Sequence, residues 1–307
     1  LTSAAEAEKM VNYWADQGAT SFKAYERVTR AQLSAIIAAA HRRGLKVTGH
    51  LCAVGFREAA ALGIDNLEHG IFVDSEFVAG KQPDVCPTGG TTYITLAFKV
   101  EIESAPVQEL IRDLVKNHVA ITSTLAVLET FVPNRPPQIQ AFLTNKLPQQ
   151  RILDAMSAEA RLQYLTARAL LAEDKDSFWP AILKKEMQFE LAFAKAGGLL
   201  LAGSDPTGRG GVVAGFANHR QVELLVEAGF TPVEAIRIAT ANGAQYLGLA
   251  DRIGTVAIGK QADLVVIKGD PARNISDIEN VEMVFKDGIA YDSNRLIESV
   301  QGCVGLR

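Results

Sequence analysis

The stretches GATSFKAY (residues 18–25), LKVTGH (45–50) and IDNLEHG (64–70) decide the fold. Each carries a short run of β-branched, aromatic or aliphatic residues, which is typical of a strand. Each follows a segment whose apolar residues have helical spacing, and glycines mark the ends of these helices. Strands that alternate with helices in this way predict βαβ units and therefore a parallel sheet.

Lys23 lies in the middle of the first strand, although strand interiors are poor in lysine. The residue lies either on an exposed face or inside the protein for a chemical reason. Exposure is the simpler interpretation, because lysine is rarely fully buried. The positions of the other polar residues are therefore needed to choose between the two.

Residues 74 to 250 continue the alternation with two irregular interruptions. Glycines and prolines indicate a long loop over 74–104 and a second irregular stretch around 133–148. The apolar patterns predict further helices over about 105–118, 149–171, 178–196, 217–228 and 231–240, and strands over 119–127 and from residue 199.

The pattern changes after Asp251, where short alternating segments predict a small all-β region. Asp287-Gly288 stands between apolar pairs, which is a strong signal for a type I′ hairpin turn. We therefore expect a large α/β domain over 1–250, part of a small β-sandwich over 251–292 and a tail over 293–307.

The composition excludes several classes of protein. Hydrophobic residues make up 48% and charged residues 21% of the 307-residue chain, which predicts a large core rather than disorder. A net charge of -4 argues against a nucleic-acid partner. No apolar run approaches the ~20 residues of a membrane span, so we expect a soluble protein without a membrane partner. The cysteines, Cys52, Cys86 and Cys303, are few and widely spaced, and they indicate neither a disulfide scaffold nor a cysteine zinc site.

Four polar residues lie at or next to the carboxyl ends of predicted parallel strands, where α/β barrels build their active sites: Lys23, His50, His69 and Asp205. Each alone has a simpler interpretation. The histidines could be hydrogen-bonded structural residues, and Asp205 could organise the turn in GSDPTG. The four together favour a functional site.

Imidazole and carboxylate groups suit Zn²⁺ and similar divalent ions, whereas a lysine amine does not. Burial beside other cations would lower the pKa of Lys23. A neutral amine can add CO₂ and become a carbamate, which is an anionic ligand with two oxygens. A carbamate can bridge two metal ions ~3.5–4 Å apart. The sequence therefore favours a zinc site with one or two ions and a carbamylated Lys23.

The motifs FKAY, VTGH, LEHG and LAGSDPTG, in this order and with the tail GKQADLVVI, resemble the amidohydrolase superfamily of metal-dependent hydrolases. Within it the chain is most similar to the imidazolonepropionase-like and Xaa-Pro dipeptidase-like branch. The resemblance implies a TIM-type (β/α)₈ barrel, of which this chain carries strands 4 to 8, with a small β-sandwich domain. It also implies that Lys23 lies inside, as the carbamylated ligand that bridges a binuclear metal centre.

The resemblance assigns roles to the other three residues. His50 and His69 would be metal ligands on the next two strands, and Asp205 a ligand on the last strand. Asp205 would also be catalytic, taking a proton from the attacking hydroxide and giving it to the departing amine. The implied reaction is hydrolysis of an amide or peptide C–N bond by metal-activated hydroxide.

The family's HxH motif does not occur in the sequence. We therefore expect an N-terminal segment with HxH upstream of Leu1. A non-catalytic relative with a degenerate metal site is the alternative. A homo-oligomer in the cytoplasm is expected, with a secreted or periplasmic location left open.

Three further residues are candidates for substrate binding. Tyr25 projects to the same side of its strand as Lys23, and in dipeptidase-like members a tyrosine here is thought to bind the substrate carboxylate. Arg209 could clamp a carboxylate as a bidentate fork. His219 lies in the first turn of a predicted helix. Each also has a purely structural interpretation. A dipeptide or an N-acyl amino acid is the expected substrate, with cyclic amides and lactones as alternatives.

Overall fold

The computed structural model describes residues 1–135, 150–206, 212–213 and 215–305. The chain divides into two compact units. Unit 1 consists of Leu1–Ser123 and Lys184–Leu201, and unit 2 consists of Thr124–Leu183 and Ala202–Arg307. The domain boundaries expected from the sequence, near residues 250 and 292, stay predictions.

A five-stranded sheet organises unit 1. Its strands follow chain order: β1 Ser21–Glu26, β2 Lys46–Leu51, β3 Asn66–Glu68, β4 Ala120–Ser123 and β5 Leu200–Ala202. Strands β1 to β4 pair in parallel, which confirms the predicted parallel sheet. The apolar residues Val47, Leu67 and Ile121 are fully buried, because these strands are covered on their apolar face.

Amphipathic helices of unit 1 alternate with these strands: α1 Ala4–Asp16, α2 Arg30–Arg42, α3 Phe56–Leu62, α4 Thr91–Lys99 and α5 Ala105–Lys116. A capping box starts α2, as the Thr29 hydroxyl accepts the Gln32 N–H and the Gln32 side chain accepts the Thr29 N–H. Leu33, Ile36 and Ile37 form its buried face.

Unit 2 contains most of the remaining helices, and α9 continues into unit 1 from Lys184: α6 Leu125–Glu129, α7 Gln150–Ala155, α8 Ala158–Ala172, α9 Trp179–Lys195, α10 Phe216–Glu227, α11 Pro232–Arg237, α12 Gly243–Tyr246 and α13 Ser293–Ser299. A buried apolar cluster includes Leu153, Met156, Tyr164 and Val213.

A small antiparallel sheet of unit 2 comprises β6 Leu264–Ile267, β7 Val281–Lys286 and β8 Ile289–Asp292. Asp287 and Gly288 connect β7 to β8, and their φ angles are 52° and 80°. Positive φ at both residues is what a type I′ turn requires. The predicted hairpin is therefore confirmed.

Several predicted element boundaries were wrong. Helix α4 lies inside the stretch that was expected to be one long loop, because its apolar face, including Leu96 and Ala97, is buried. The predicted strand 119–127 ends at Ser123, and α6 follows it. A short apolar run does not distinguish a strand from a buried helix.

Two predicted helices also differ from the structure. The helix expected over 149–171 is divided into α7 and α8, because the Ser157 hydroxyl accepts the Ala160 N–H and starts a new helix. The helix expected over 231–240 changes at Ile238 into a π-helical turn, Ile238–Asn242. Part of the irregular stretch around 133–148 lies outside the described residues.

Cys52 and Cys86 form a disulfide, with their Cα atoms 5.0 Å apart. The sequence did not indicate this pair, since the two residues are separated by 34 positions. The fold brings the residue after β2 next to the segment between β3 and α4. Cys303 is free and exposed.

Among the residues that the structure describes, no helix combines the length and the apolarity needed to cross a membrane.

Candidate active site

Strands β1 and β2 present polar side chains on one face of the sheet. Lys23 pairs with Thr48, and Tyr25 pairs with His50. Alternate residues of a strand project to the same side, so these four side chains share a face. The sheet geometry therefore places Lys23, Tyr25 and His50 on the same face.

His50 and His69 come into contact at the carboxyl ends of β2 and β3. Their ring centroids are 4.5 Å apart in an edge-on arrangement. His69 directly follows β3 with a left-handed backbone (φ 72°), and its N–H donates to the Thr122 carbonyl. This left-handed residue ends the strand and turns the His69 side chain towards His50.

His69 is buried and neutral at ordinary pH. Burial first, and then the neighbouring His50 and Lys23, lower the pKa of its imidazole to about 3. The side chain is 3% exposed. A neutral imidazole keeps a nitrogen lone pair, which is the form that binds a metal ion.

A buried carboxyl group holds the turn behind His69. The turn Gly70–Val73 donates the N–H groups of Ile71 and Phe72 to the Glu186 carboxylate, at 3.3 and 2.8 Å. Glu186 lies on α9 and is fully buried. Glycine is favoured at position 70, because φ is 70° and a Cβ there would lie 1.7 Å from Glu186 Oε1, so the Glu186 side chain would have to move. Glu186 thus fixes the backbone that presents His69.

A second carboxyl group lies one helical turn further along α9. Glu190 accepts the Ser123 hydroxyl at 2.8 Å, and its Oε1 has no hydrogen-bond partner among the described residues. Burial raises the pKa of Glu190 to about 8. Burial and the neighbouring Glu190 also raise the pKa of Glu186. We conclude that this pair does not carry two negative charges at neutral pH.

A polar network on the strand face was missed by the sequence analysis. The Thr48 hydroxyl donates to Glu68 Oε1 at 2.7 Å, and Asn66 Nδ2 donates to the hydroxyls of Thr48 and Thr122 at 3.0 and 2.7 Å. These residues alternate in phase with His50 along their strands. This alternation is the sequence pattern from which the network could have been predicted.

Aromatic rings extend on both sides of the histidine pair. Tyr25 lies 4.8 Å from His50, Phe72 lies 5.9 Å from His69, and Tyr93 of α4 lies 6.2 Å from Phe72, all between ring centroids. Glu26 ends β1, and its Oε1 lies 3.7 Å from His50 Nε2. Glu26 and Tyr93 were not predicted as site residues.

The expectation that Lys23 lies inside was wrong, since its side chain is exposed. The reason is that β1 is an edge strand and has a neighbour, β2, on one side only. Lys23 nevertheless acts on the site, because its charge contributes to the low pKa of His69.

The other predicted residues belong to unit 2 or lie outside the described part. Asp205 follows β5 with a left-handed φ of 42°. His219 lies in the first turn of α10, and burial lowers its pKa. Arg209 lies outside the described residues. Within unit 1, the structure brings together Tyr25, His50 and His69.

The histidine pair fits a divalent metal ion in its chemistry, because it offers two adjacent imidazoles, one of them buried and neutral. Within the ranges that the structure describes, no group of three or more His, Cys, Asp or Glu side chains could hold a metal ion. Ligands in addition to the two histidines would have to come from Lys23 as a carbamate or from residues that do not form such a group in the described ranges.

Histidines at the carboxyl ends of parallel strands lie where α/β barrels build their active sites. The model of the amidohydrolase family matches residues 2–290. The chain belongs to this family.

Curated relatives resemble short segments of the chain. An adenine deaminase of Ligilactobacillus salivarius is 36% identical over 69 residues, which is 22% of this chain and 12% of the relative. An imidazolonepropionase of Thermoplasma volcanium is 36% identical over 84 residues, or 26% of this chain and 20% of the relative.

The fold is similar to that of a solved Xaa-Pro dipeptidase with bound methionine in its active site. The TM-score is 0.61 at 21% identity, and the match covers 95% of this chain and 59% of the dipeptidase. The chain thus spans about three fifths of the length of that structure. This similarity supports the barrel-type fold and the small antiparallel sheet.

Proposed function

We propose that the protein is a metal-dependent hydrolase that cleaves an amide or peptide C–N bond. The observation that carries this proposal is the contact between His50 and His69, with ring centroids 4.5 Å apart at the carboxyl ends of neighbouring parallel strands. Membership of the amidohydrolase family supports it. The dipeptide or N-acyl amino acid substrate expected from the sequence is part of the proposal.

His50, His69 and a carbamylated Lys23 are the proposed ligands in unit 1, and zinc is the proposed ion. When bound, the metal would polarise the substrate carbonyl and activate a water molecule. The roles of Asp205 in metal binding and proton transfer stay predictions, as do substrate contacts by Tyr25, Arg209 and His219.

The chain's own residues prepare the site before any metal binds. Glu186 fixes the turn after His69, and burial keeps the His69 ring neutral. The network of Thr48, Glu68 and Asn66 orders the polar face beside His50. Such preorganisation reduces the entropy that binding and catalysis cost.

Deamination of an adenine-like base is a second candidate, because an adenine deaminase resembles part of this chain. That reaction also breaks a C–N bond. Cyclic amides and lactones remain alternatives, as does a non-catalytic relative.

The upstream HxH segment, the homo-oligomer and the cytoplasmic location stay predictions. The Cys52–Cys86 disulfide favours an oxidising compartment instead, because cytosolic disulfides are rare.

The test uses the full protein loaded with zinc and a panel of dipeptides, N-acyl amino acids, cyclic amides, lactones and adenine. Lys23→Ala and His69→Ala should each lower turnover at least about 100-fold and reduce bound zinc, measured by elemental analysis. His118→Asn is the matched control, because His118 is an exposed histidine with a left-handed φ of 56° that asparagine tolerates.

Hydrolysis of adenine alone would favour the second candidate. Unchanged zinc content and unchanged turnover in His69→Ala would contradict the proposed metal site. An inactive wild-type protein that binds no zinc would favour the non-catalytic relative.

A further inference from the structure

Glu26 places a negative charge beside the histidine pair. Its Oε1 lies 3.7 Å from His50 Nε2, and its side chain is 38% exposed. The Glu26 carbonyl accepts the N–H groups of Cys52 and Ala53, at 3.2 and 2.7 Å. These two hydrogen bonds fix the backbone of Glu26 at the end of β1, and the carboxylate beside His50 is accessible to a small molecule.

Two phenol rings accompany this carboxylate. Tyr25 precedes Glu26 and its ring contacts His50 at 4.8 Å. Tyr93 approaches from α4, through the Phe72 ring that adjoins His69. Burial raises the pKa of Tyr93, and the neighbouring Glu26 and Tyr25 raise it further. The Tyr93 hydroxyl is therefore within electrostatic reach of both residues.

A carboxylate beside aromatic rings is complementary to a cation. The carboxylate accepts N⁺–H hydrogen bonds, which are stronger than neutral ones. The faces of tyrosine rings also attract an ammonium group. A second anion at this position would be repelled by Glu26 at short distance. The surroundings of His50 thus favour a substrate that carries a positive charge near the bond to be cleaved.

We infer that Glu26 binds the free α-ammonium group of the substrate, which makes the substrate a dipeptide rather than an N-acyl amino acid. This inference rests on the proposed hydrolase function. In a dipeptide a single Cα atom separates the ammonium nitrogen from the scissile carbonyl carbon. A site that holds the carbonyl at the histidine pair would therefore hold the ammonium group close to it, where Glu26 lies.

The simpler interpretation is that Glu26 only orients the His50 ring. In that case the loss of its charge would affect every substrate equally. If Glu26 binds the ammonium group instead, the loss of its charge would affect only the substrates that carry this group. Comparing matched substrates with and without this group therefore separates the two roles.

The experiment compares alanyl dipeptides with their N-propionyl counterparts, using each of several second residues, on the zinc-loaded full protein. N-propionyl amino acids have the same shape as alanyl dipeptides but lack the amine. Wild type should prefer the alanyl series by about 10- to 100-fold in kcat/KM, the range for a hydrogen bond to a charged group. Glu26→Gln should remove this preference, mainly by raising KM for the alanyl series.

Glu103→Gln serves as the matched control, because Glu103 is an exposed glutamate of unit 1 outside the site. Equal losses on both series in Glu26→Gln would overturn the inference and leave the hydrolase function standing. A wild type without preference for the alanyl series would do the same. Hydrolysis of neither series would contradict the proposed peptide hydrolase and the inference with it.

Discussion

Units 1 and 2 both bury acidic side chains, but the groups that bind these side chains differ between the two units. In unit 2, Arg220 binds Glu129 with two hydrogen bonds at 2.9 and 2.8 Å, and it also binds Glu223 and Glu227 at 2.8 and 2.6 Å. Burial lowers the pKa of Arg220, but the carboxylates, Glu129 first, raise it by more. This cluster is compensated by a charge of opposite sign.

In unit 1, Glu186 and Glu190 are fully buried and accept hydrogen bonds from N–H and hydroxyl groups rather than from a cation. They lie behind His69, whose pKa is itself strongly lowered. Groups with perturbed pKa values tend to gather at functional sites. The comparison indicates that unit 2 buries charge to stabilise its fold, whereas unit 1 does so where it presents the histidine pair.

Removing Arg220 from unit 2 should have the largest effect on stability. Arg220→Leu takes away the hydrogen bonds to Glu129, Glu223 and Glu227 and leaves Arg135 as the cation beside Glu129 and Glu227. This change should lower the free energy of unfolding by about 3–5 kcal/mol. Urea titration would measure this loss. Arg273→Leu is the control, because Arg273 is 89% exposed in its ion pair with Asp270 and should matter by less than about 1 kcal/mol. Equal effects of the two variants would contradict the structural role of the cluster.

The next largest effect on stability should come from replacing the disulfide cysteines of unit 1, whereas replacing the free cysteine of unit 2 should have none. Cys52→Ser combined with Cys86→Ser should cost about 3–4 kcal/mol, from the lost restriction of the unfolded chain. Cys303→Ser, which changes the free thiol of unit 2, should leave stability unchanged. Differential thiol labelling followed by mass spectrometry checks the pairing, and three reactive thiols in the unreduced protein would disprove it.

The turn behind His69 gives a smaller effect. Gly70→Ala should cost about 2–4 kcal/mol, because alanine is strained at a φ of 70° and its Cβ would overlap Glu186. Gly197→Ala is the matched control, since its φ is 94° but its Cβ would meet no atom within 4 Å. The control should retain only the backbone cost of about 1–2 kcal/mol. If both cost the same, the contact with Glu186 does not constrain the turn.

The last prediction concerns the pH dependence of stability, which tests the buried carboxyl group of Glu190 in unit 1. The folded state raises the pKa of Glu190 from 4.5 to about 8. Between these values the unfolded chain releases a proton that the folded protein keeps, so stability falls as pH rises. The slope for one proton is about 1.4 kcal/mol per pH unit.

Glu190→Gln should flatten this part of the profile, as measured by urea unfolding at a series of pH values. Glu103→Gln, an exposed replacement, should leave the profile as in wild type. An unchanged slope in Glu190→Gln would mean that Glu190 is ionised when buried.

Local patterns predicted the parallel sheet, most helices and the hairpin, because helical spacing, capping residues and the Asp287-Gly288 turn act over a few positions. They failed at residues 91–99, where the surrounding glycines and prolines indicated a loop although a buried helix forms. They also failed at residues 119–127, where an apolar run fits both helix and strand and burial decided between them. Lys23, His50, His69 and Asp205 were predicted as one site because the ends of parallel strands meet at one edge, and Tyr25 was added because it alternates in phase with Lys23. Glu26, Tyr93 and Glu186 were missed, since each reaches the site through contacts between elements.

The sequence by itself determined the order of strands and helices and the polar residues that follow the strands, because these depend on periodicity and on turn chemistry. Only the tertiary structure decided the Cys52–Cys86 disulfide, the hydrogen bonds from the turn after His69 to Glu186 and the exposure of Lys23. Those features depend on contacts between residues far apart in the chain and on the place of each strand within the sheet. They also depend on burial, which sets the pKa of His69 and which no local pattern encodes.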